Sequence, residues 1–266
     1  MFQNYLIVAS KKDRAGINIT TNLSQFNREN FNFYLTEEHI IYTENLDMDK
    51  INKYDFIIFA SKHESEKKEK TLSVHAPGNW RRAEFGGESG KICISSALFQ
   101  KHIFEILNKN VKASGLDSRY KVTMECTHHG PLINKPCLFI EIGSTPTEWE
   151  DRRAGFIVAK TILEAVESFK PNNYREVAIA IGGPHYCPNF NKLQMNSNVA
   201  ISHVIPNYVF PLSREMIKEA IDKTIEEIDL AVLDWKGLGT AEQRKQVLAI
   251  LDELYVSYKK TSDVGK

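Results

Sequence analysis

The sequence predicts an α/β fold, a single domain with a central mixed, mainly parallel sheet flanked by helices. Three observations carry that expectation. Short apolar runs such as Tyr5–Ala9, Phe56–Ala60, Cys137–Ile142 and Val177–Ile181 have the length and composition of buried strands. Segments with helical start and stop signals alternate with them over most of the chain. With 266 residues, 42% of them hydrophobic, the chain can bury one large core. The expected organisation is one catalytic domain over residues 1–260 and a frayed tail at 261–266.

Taken in order, Tyr5–Ala9 reads as a strand followed by a polar loop at Ser10–Asp13, and Phe56–Ala60 repeats that shape before Ser61-Lys62-His63-Glu64. Glu64–Lys70 alternates in sign and suits a solvated face. Thr71–His75 alternates with period two and runs into a turn at Pro77-Gly78. Glu84–Glu88 reads as a loop, Lys91–Ser95 as a strand, Ala97–Lys109 as a helix and Ser114–Ser118 as a linker.

Tyr120–Cys126 sets Val122, Met124 and Cys126 against Thr123 and Glu125, a strand pattern, with His128 and His129 just beyond it. After the strand Cys137–Ile142, Thr145-Pro146-Thr147-Glu148 has the form of a capping box opening a helix to about Phe169, with Pro171 as its stop. Strands are then expected at Val177–Gly183, Asn198–His203 and Ile228–Leu233, and helices at Ser213–Lys223 and Thr240–Tyr258.

Composition narrows the function. Lys plus Arg and Asp plus Glu both number 34, so no net charge draws the chain to DNA, and a tRNA partner would be held by local patches. Such patches exist at Lys62, Lys67, Lys68 and Lys70, at Arg81 and Arg82 beside Trp80, and at Lys236 beside Trp235. The four cysteines include no C-x-x-C pair and the first residues read as a strand, so a cytoplasmic location with reduced thiols is expected. No apolar run approaches the roughly 20 residues of a membrane span.

Chemistry gathers at the strand ends. His63, His75, His128, His129, His185 and His203, six of the eight histidines, fall at or just past the ends of apolar strands, where open α/β sheets bind their ligands. Imidazoles and carboxylates are the usual zinc ligands. Glu141, inside Phe139-Ile140-Glu141-Ile142, needs a metal, a cation or a proton if it is buried. A single strand histidine is more often a satisfied core residue than a ligand, and no H-E-x-x-H signature is present. Cys126 and Cys187 could ligate or attack, although packing is the commoner role for a cysteine.

Together the motifs Ser61–Ser65, Leu72–Trp80, Cys126–Pro131, Phe139–Thr145 with Glu148-Trp149, and Gly182–Tyr186 resemble the archaeal and plant type of D-aminoacyl-tRNA deacylase. They are spread from about residue 5 to Lys236, nearly the whole chain. The resemblance implies a phosphorylase/hydrolase-like fold and hydrolysis of the ester joining a D-amino acid to the 3′-terminal ribose of tRNA. It also implies two zinc ions per chain, a water activated by that zinc, and a monomer. Pro184 and Cys187 depart from it, since glycine and alanine are expected there.

The resemblance does not assign ligands. From strand-end clustering, His75, His128, His129, His185 and His203 are expected to hold metal, with Glu141 a bridging ligand or the base, and Glu141 and His129 the catalytic pair. His63, Lys62, Trp80, Glu84 and Tyr186 are expected against the substrate, in this case the acceptor end of tRNA. The turns Ala76–Gly78 and Gly182–Pro184 are candidate walls for rejecting the L-isomer. A zinc peptidase or amidohydrolase and a non-catalytic tRNA-binding module are the competing readings.

Overall fold

The computed structural model describes residues 2–26, 31–44, 46, 48–171 and 176–264. In chain order the elements are β1 (Tyr5–Ser10), α1 (Arg14–Leu23), β2 (Phe31–Thr36), α2 (Met48–Ile51), β3 (Phe56–Glu64), β4 (Thr71–His75), α3 (Ala97–Ala113), β5 (Lys121–Met124), β6 (Cys137–Ser144), α4 (Pro146–Trp149) and α5 (Arg152–Ser168). They continue with β7 (Glu176–Ile181), α6 (Pro188–Asn196), β8 (Val199–Ile205), α7 (Arg214–Asp222), β9 (Leu230–Leu233), α8 (Ala241–Glu253) and β10 (Ser257–Lys260).

The strands form two sheets, where the sequence suggested one. Six strands run β2-β1-β3-β6-β4-β5 and four run β10-β9-β7-β8. The larger sheet is mixed and mostly parallel, its one antiparallel pairing being β4 with β6. Every pairing in the smaller sheet is parallel. One apolar core joins them into a single α/β domain. Ile58, Ile140 and Val74 on one face of the larger sheet pack with α1, α3 and α5, and the same cluster takes in Ala178, Ile201 and Leu230 of the smaller sheet. A second core, with Ile179, Ile181 and Leu233, lies under α7 and α8.

Several boundaries differ from the sequence reading for local reasons. Lys91–Ser95 is not a strand and makes only isolated bridges, Gly78 to Ile92 and Ser95 to Thr224. The capping box at Thr145 does not form, because the Thr145 hydroxyl donates to the Glu148 carboxylate at 2.6 Å. The helix expected from there breaks after Trp149, and α5 starts afresh with Asp151 accepting from the amides of Arg153 and Ala154. The last helix stops at Glu253, capped at its start by a reciprocal Thr240–Gln243 box, and Tyr258 lies in β10 instead. Residues 261–264 form a turn, and 265–266 of the expected tail lie outside the described residues.

Register positions the site. β3, β6 and β4 place Ser61, Glu141 and Ser73 in one row across the sheet. The row beyond holds His63, Gly143 and Thr71, and the row before holds Phe59, Phe139 and His75. Because side chains alternate with period two, His63, Glu141 and His75 share the face opposite Ile140 and Ile142. Gly143 makes room for the imidazole, since a Cβ there would lie 2.8 Å from the Cβ of His63.

Candidate active site

The segment Glu125–Pro131 leaves β5 and ties the two sheets together. The amide of Cys126 donates to the His185 carbonyl at 2.9 Å and that of Thr127 to the Val204 carbonyl at 3.0 Å. The Gly78 amide donates to the His129 carbonyl at 2.7 Å, and the Gly130 amide to that of Phe85 at 2.8 Å. His128 and His129 are thereby laid over the sheet face that carries Glu141, His75 and His63.

The result is a compact cluster of five imidazoles and two buried carboxylates. Glu125 lies 3.0 Å from His185 Nε2, 3.2 Å from His63 Nδ1 and 3.5 Å from His128 Nε2. Glu141 lies 3.6 Å from His63 Nδ1, 3.7 Å from His75 Nε2 and 4.0 Å from His129 Nε2. Backbone carbonyls orient three rings through Nδ1: Ala76 for His75 at 3.2 Å, Cys126 for His128 at 2.8 Å and Gly130 for His129 at 2.6 Å. That leaves their Nε2 atoms for the cluster. His75 Nε2 is buried and makes no hydrogen bond among the described residues.

Two disjoint triads of donors each lie within 4.8 Å, His75 with His128 and His129, and His63 with Glu125 and His185. Glu141 stands between them. Cys126 forms a further group with His128 and His185, its Sγ 3.4 Å from His185 Nδ1 and 2.9 Å from the Tyr208 hydroxyl.

Electrostatics divide the cluster. Burial pushes the Glu125 and Glu141 carboxyls up, but the adjoining histidines outweigh it, His185 and His63 for Glu125 and His63 and His75 for Glu141. Glu125 is held well below the usual carboxylate range and Glu141 at about 2. Burial also opposes charge on His63 and His185. Glu125 and Glu141 nonetheless raise His63 to about 12, and Cys126 with Glu125 raise His185 to about 10. Burial, reinforced by the His75 ring, lowers His128 well below its ordinary value and His129 to about 4. Without a metal, the two carboxylates thus favour positive charge on His63 and His185.

The cluster floors a cavity of about 860 Å³, reached by His63, His128, His129, His185 and Glu141, while His75 and Glu125 lie fully buried. A smaller cavity of about 530 Å³ also reaches His63 and His185. Of the expected substrate contacts, Lys62, Trp80 and Glu84 line the larger cavity. Lys62 is paired with Glu64 at 2.5 Å and sits over the Trp149 ring. Trp80 is mostly buried, its ring N–H donating to the Val204 carbonyl, and Glu84 is exposed. Tyr186 lines the smaller cavity and its hydroxyl lies 2.9 Å from His63 Nε2. Of the candidate walls, Gly78 lines the larger cavity and Pro184 the smaller.

His203 is the one expected ligand that the fold places apart. Its ring nitrogens meet the Thr127 hydroxyl at 3.2 Å and the Lys223 carbonyl at 3.2 Å, and burial lowers its pKa to about 4. Both nitrogens are occupied. His63, expected against the substrate, stands inside the cluster.

Sequence reasoning missed Glu125 and Tyr208, and it favoured packing for Cys126, which borders the cluster. The signal for Glu125 was its place opposite the apolar positions of β5, three residues before His128. Tyr208 gave none, since it meets Cys126 across 82 residues of chain.

Comparison with known proteins identifies the family. A family model described as D-aminoacyl-tRNA deacylase matches residues 50–259. A D-aminoacyl-tRNA deacylase of Thermococcus onnurineus is 34% identical over 95% of this chain and 98% of its own length. One of Methanocaldococcus jannaschii is 32% identical over 91% of this chain and 94% of its own. The crystal structure of a conserved protein of unknown function superposes with a TM-score of 0.89 at 30% identity, covering 98% of this chain and 96% of that one. The chain belongs to the D-aminoacyl-tRNA deacylase family.

Proposed function

We propose that the protein hydrolyses the ester of D-aminoacyl-tRNA, releasing the free D-amino acid and tRNA, at a two-zinc site built on Glu141. The observation that carries the metal reading is His75 Nε2, a buried donor atom with no hydrogen-bond partner, facing a carboxylate amid four other imidazoles. Burying such an atom unsatisfied costs about 1–3 kcal/mol, and a cation satisfies it. The donor set is nitrogen-rich with two carboxylates, which suits zinc better than calcium or magnesium.

One zinc would be held by His75, His128 and His129 and the other by His63, Glu125 and His185, with Glu141 between them. Zinc, when bound, supplies a Lewis acid that polarises the ester carbonyl and lowers the pKa of water. The rest falls to side chains of this chain. Glu125, 3.0 Å from His185 Nε2 and 3.2 Å from His63 Nδ1, would share the second ion with them and offset its charge. Glu141 faces the cavity and is assigned the water's proton, while His129, its Nδ1 tied to the Gly130 carbonyl, would serve that water as a ligand of the metal. An aminoacyl ester needs no further activation, so the harder task is to exclude the L-isomer, which a tight wall beside the cluster can do.

No helix among the described residues is long and apolar enough to cross a membrane, and all four cysteines are free and buried. These features support action in the reducing cytoplasm, and the family resemblance supports a monomer with no DNA partner. The test is deacylation of paired D- and L-tyrosyl-tRNA with and without a chelator. Cleavage of the D-ester alone, abolished by chelation and restored by zinc, is expected. Cleavage of a dipeptide in its place would favour the peptidase reading. Inertness toward every D-aminoacyl-tRNA would favour a binding module.

A further inference from the structure

We infer that the larger cavity seats the terminal nucleoside of the tRNA acceptor end on an aromatic platform formed by Phe85 and Tyr208, with Phe85 the principal stacking ring. The inference rests on the proposed deacylase reading for the identity of its ligand. Phe85 and Tyr208 are each 59% exposed, Tyr42 is 48% exposed, and all three line the cavity that ends at the histidine cluster. Exposed large apolar groups gathered at one cleft are characteristic of binding surfaces.

The loop that carries Phe85 is held in place. The Phe85 carbonyl accepts from Gly130, and the Gly86 carbonyl accepts from the Asn79 side chain at 2.8 Å. The Gly87 amide donates to the Glu44 carboxylate. Gly86 has φ +70°, and a Cβ there would lie 1.7 Å from the Ile41 carbonyl oxygen, so this loop packs backbone against backbone. Tyr208 is anchored from the other side, its hydroxyl on Cys126 in the interior while its ring stays open to the cavity. An exposed ring on a fixed backbone costs less to order when a base stacks on it than one on a loose loop.

Cations stand at the same cavity, alongside its acidic residues Asp13, Glu64, Glu84 and Glu141. The Arg81 guanidinium is tied to the carbonyls of Val209 at 2.8 Å and Pro211 at 2.6 Å, and among the described residues no carboxylate is paired with it. Arg82, exposed, also lines the cavity. The ester and the base are joined to one ribose, so a base on Phe85 puts the ester toward the cluster floor. The smaller cavity offers instead two prolines and Tyr186, whose hydroxyl is already bonded to His63.

The experiment measures 5′-AMP binding by calorimetry and its inhibition of D-tyrosyl-tRNA deacylation, for wild type, Phe85→Ala and Phe85→Trp. Expected are competitive inhibition by AMP, about tenfold weaker AMP binding and a KM about tenfold higher in Phe85→Ala, and recovery of both in Phe85→Trp. The kcat and zinc content should stay within about twofold of wild type, as fits a ring that binds but does not react. If wild type cleaves D-tyrosyl-tRNA while AMP binding and KM are the same in Phe85→Ala, the platform is wrong and the deacylase reading stands. If wild type does not cleave it, the deacylase reading falls, and calorimetry still decides: AMP binding lost in Phe85→Ala supports the platform, and no AMP binding to wild type overturns it.

Discussion

The end of β4 and the far half of β8 each carry a histidine with no exposed surface, His75 and His203, and the two differ in what their nitrogens meet. His203 has a hydroxyl on one side and a carbonyl on the other. His75 has a carbonyl on one side only, and its other nitrogen points among imidazoles toward Glu141. Burial alone is therefore no mark of a site. What sets His75 apart is that its partnerless nitrogen lies among four other imidazoles and faces a buried carboxylate, whereas other buried atoms without a partner, such as the Tyr5 hydroxyl and the Gln194 amide nitrogen, lie outside the cluster.

The sharpest way to break this contrast is to remove the carboxylate that organises its active side. Glu125→Gln should cut turnover by more than about 100-fold and, in metal-free protein, cost about 3–5 kcal/mol on denaturant unfolding, since it strips His63 and His185 of their counter-charge. Next in size, His75→Ala should lose about 100-fold in kcat while costing the metal-free protein less stability than His203→Ala does, because the cavity it leaves is partly offset by removal of a buried nitrogen that has no partner.

His203→Ala should behave in the opposite manner. A loss of about 2 kcal/mol in stability is expected from the cavity and the two orphaned partners, with turnover of the folded enzyme within a few-fold of wild type. The smallest effect belongs to a position far from the cluster. Thr240→Ala, which breaks the capping box of α8, should cost about 1 kcal/mol by thermal or chemical unfolding and leave kcat unaltered.

Why His75 and His203 looked alike in the sequence is instructive. Both follow apolar runs, and periodicity reports only which face of a strand a residue occupies. It made Glu141, His75, His128, His129 and His185 legible as strand-end residues, and the alternation of strand and helix made the α/β class legible too. It could not report partnership, which is set by non-local contact. Lys223 and Thr127 satisfy His203 from separate elements, and Tyr208 reaches Cys126 from a distant turn. Glu125 was hidden for a related reason: it follows directly on β5 on the polar side of the alternation, and its partner His185 comes from a turn 60 residues away. The second sheet escaped notice because short parallel strands look the same whichever sheet they join.

The account turns on metal held at His75 and not at His203. The most direct measurement is the zinc content per chain of wild type, His75→Ala and His203→Ala, purified alike and analysed by atomic emission. Two equivalents in wild type and in His203→Ala, and at most one in His75→Ala, are expected. Full zinc in His75→Ala, or loss of zinc from His203→Ala with the protein still folded, would contradict it.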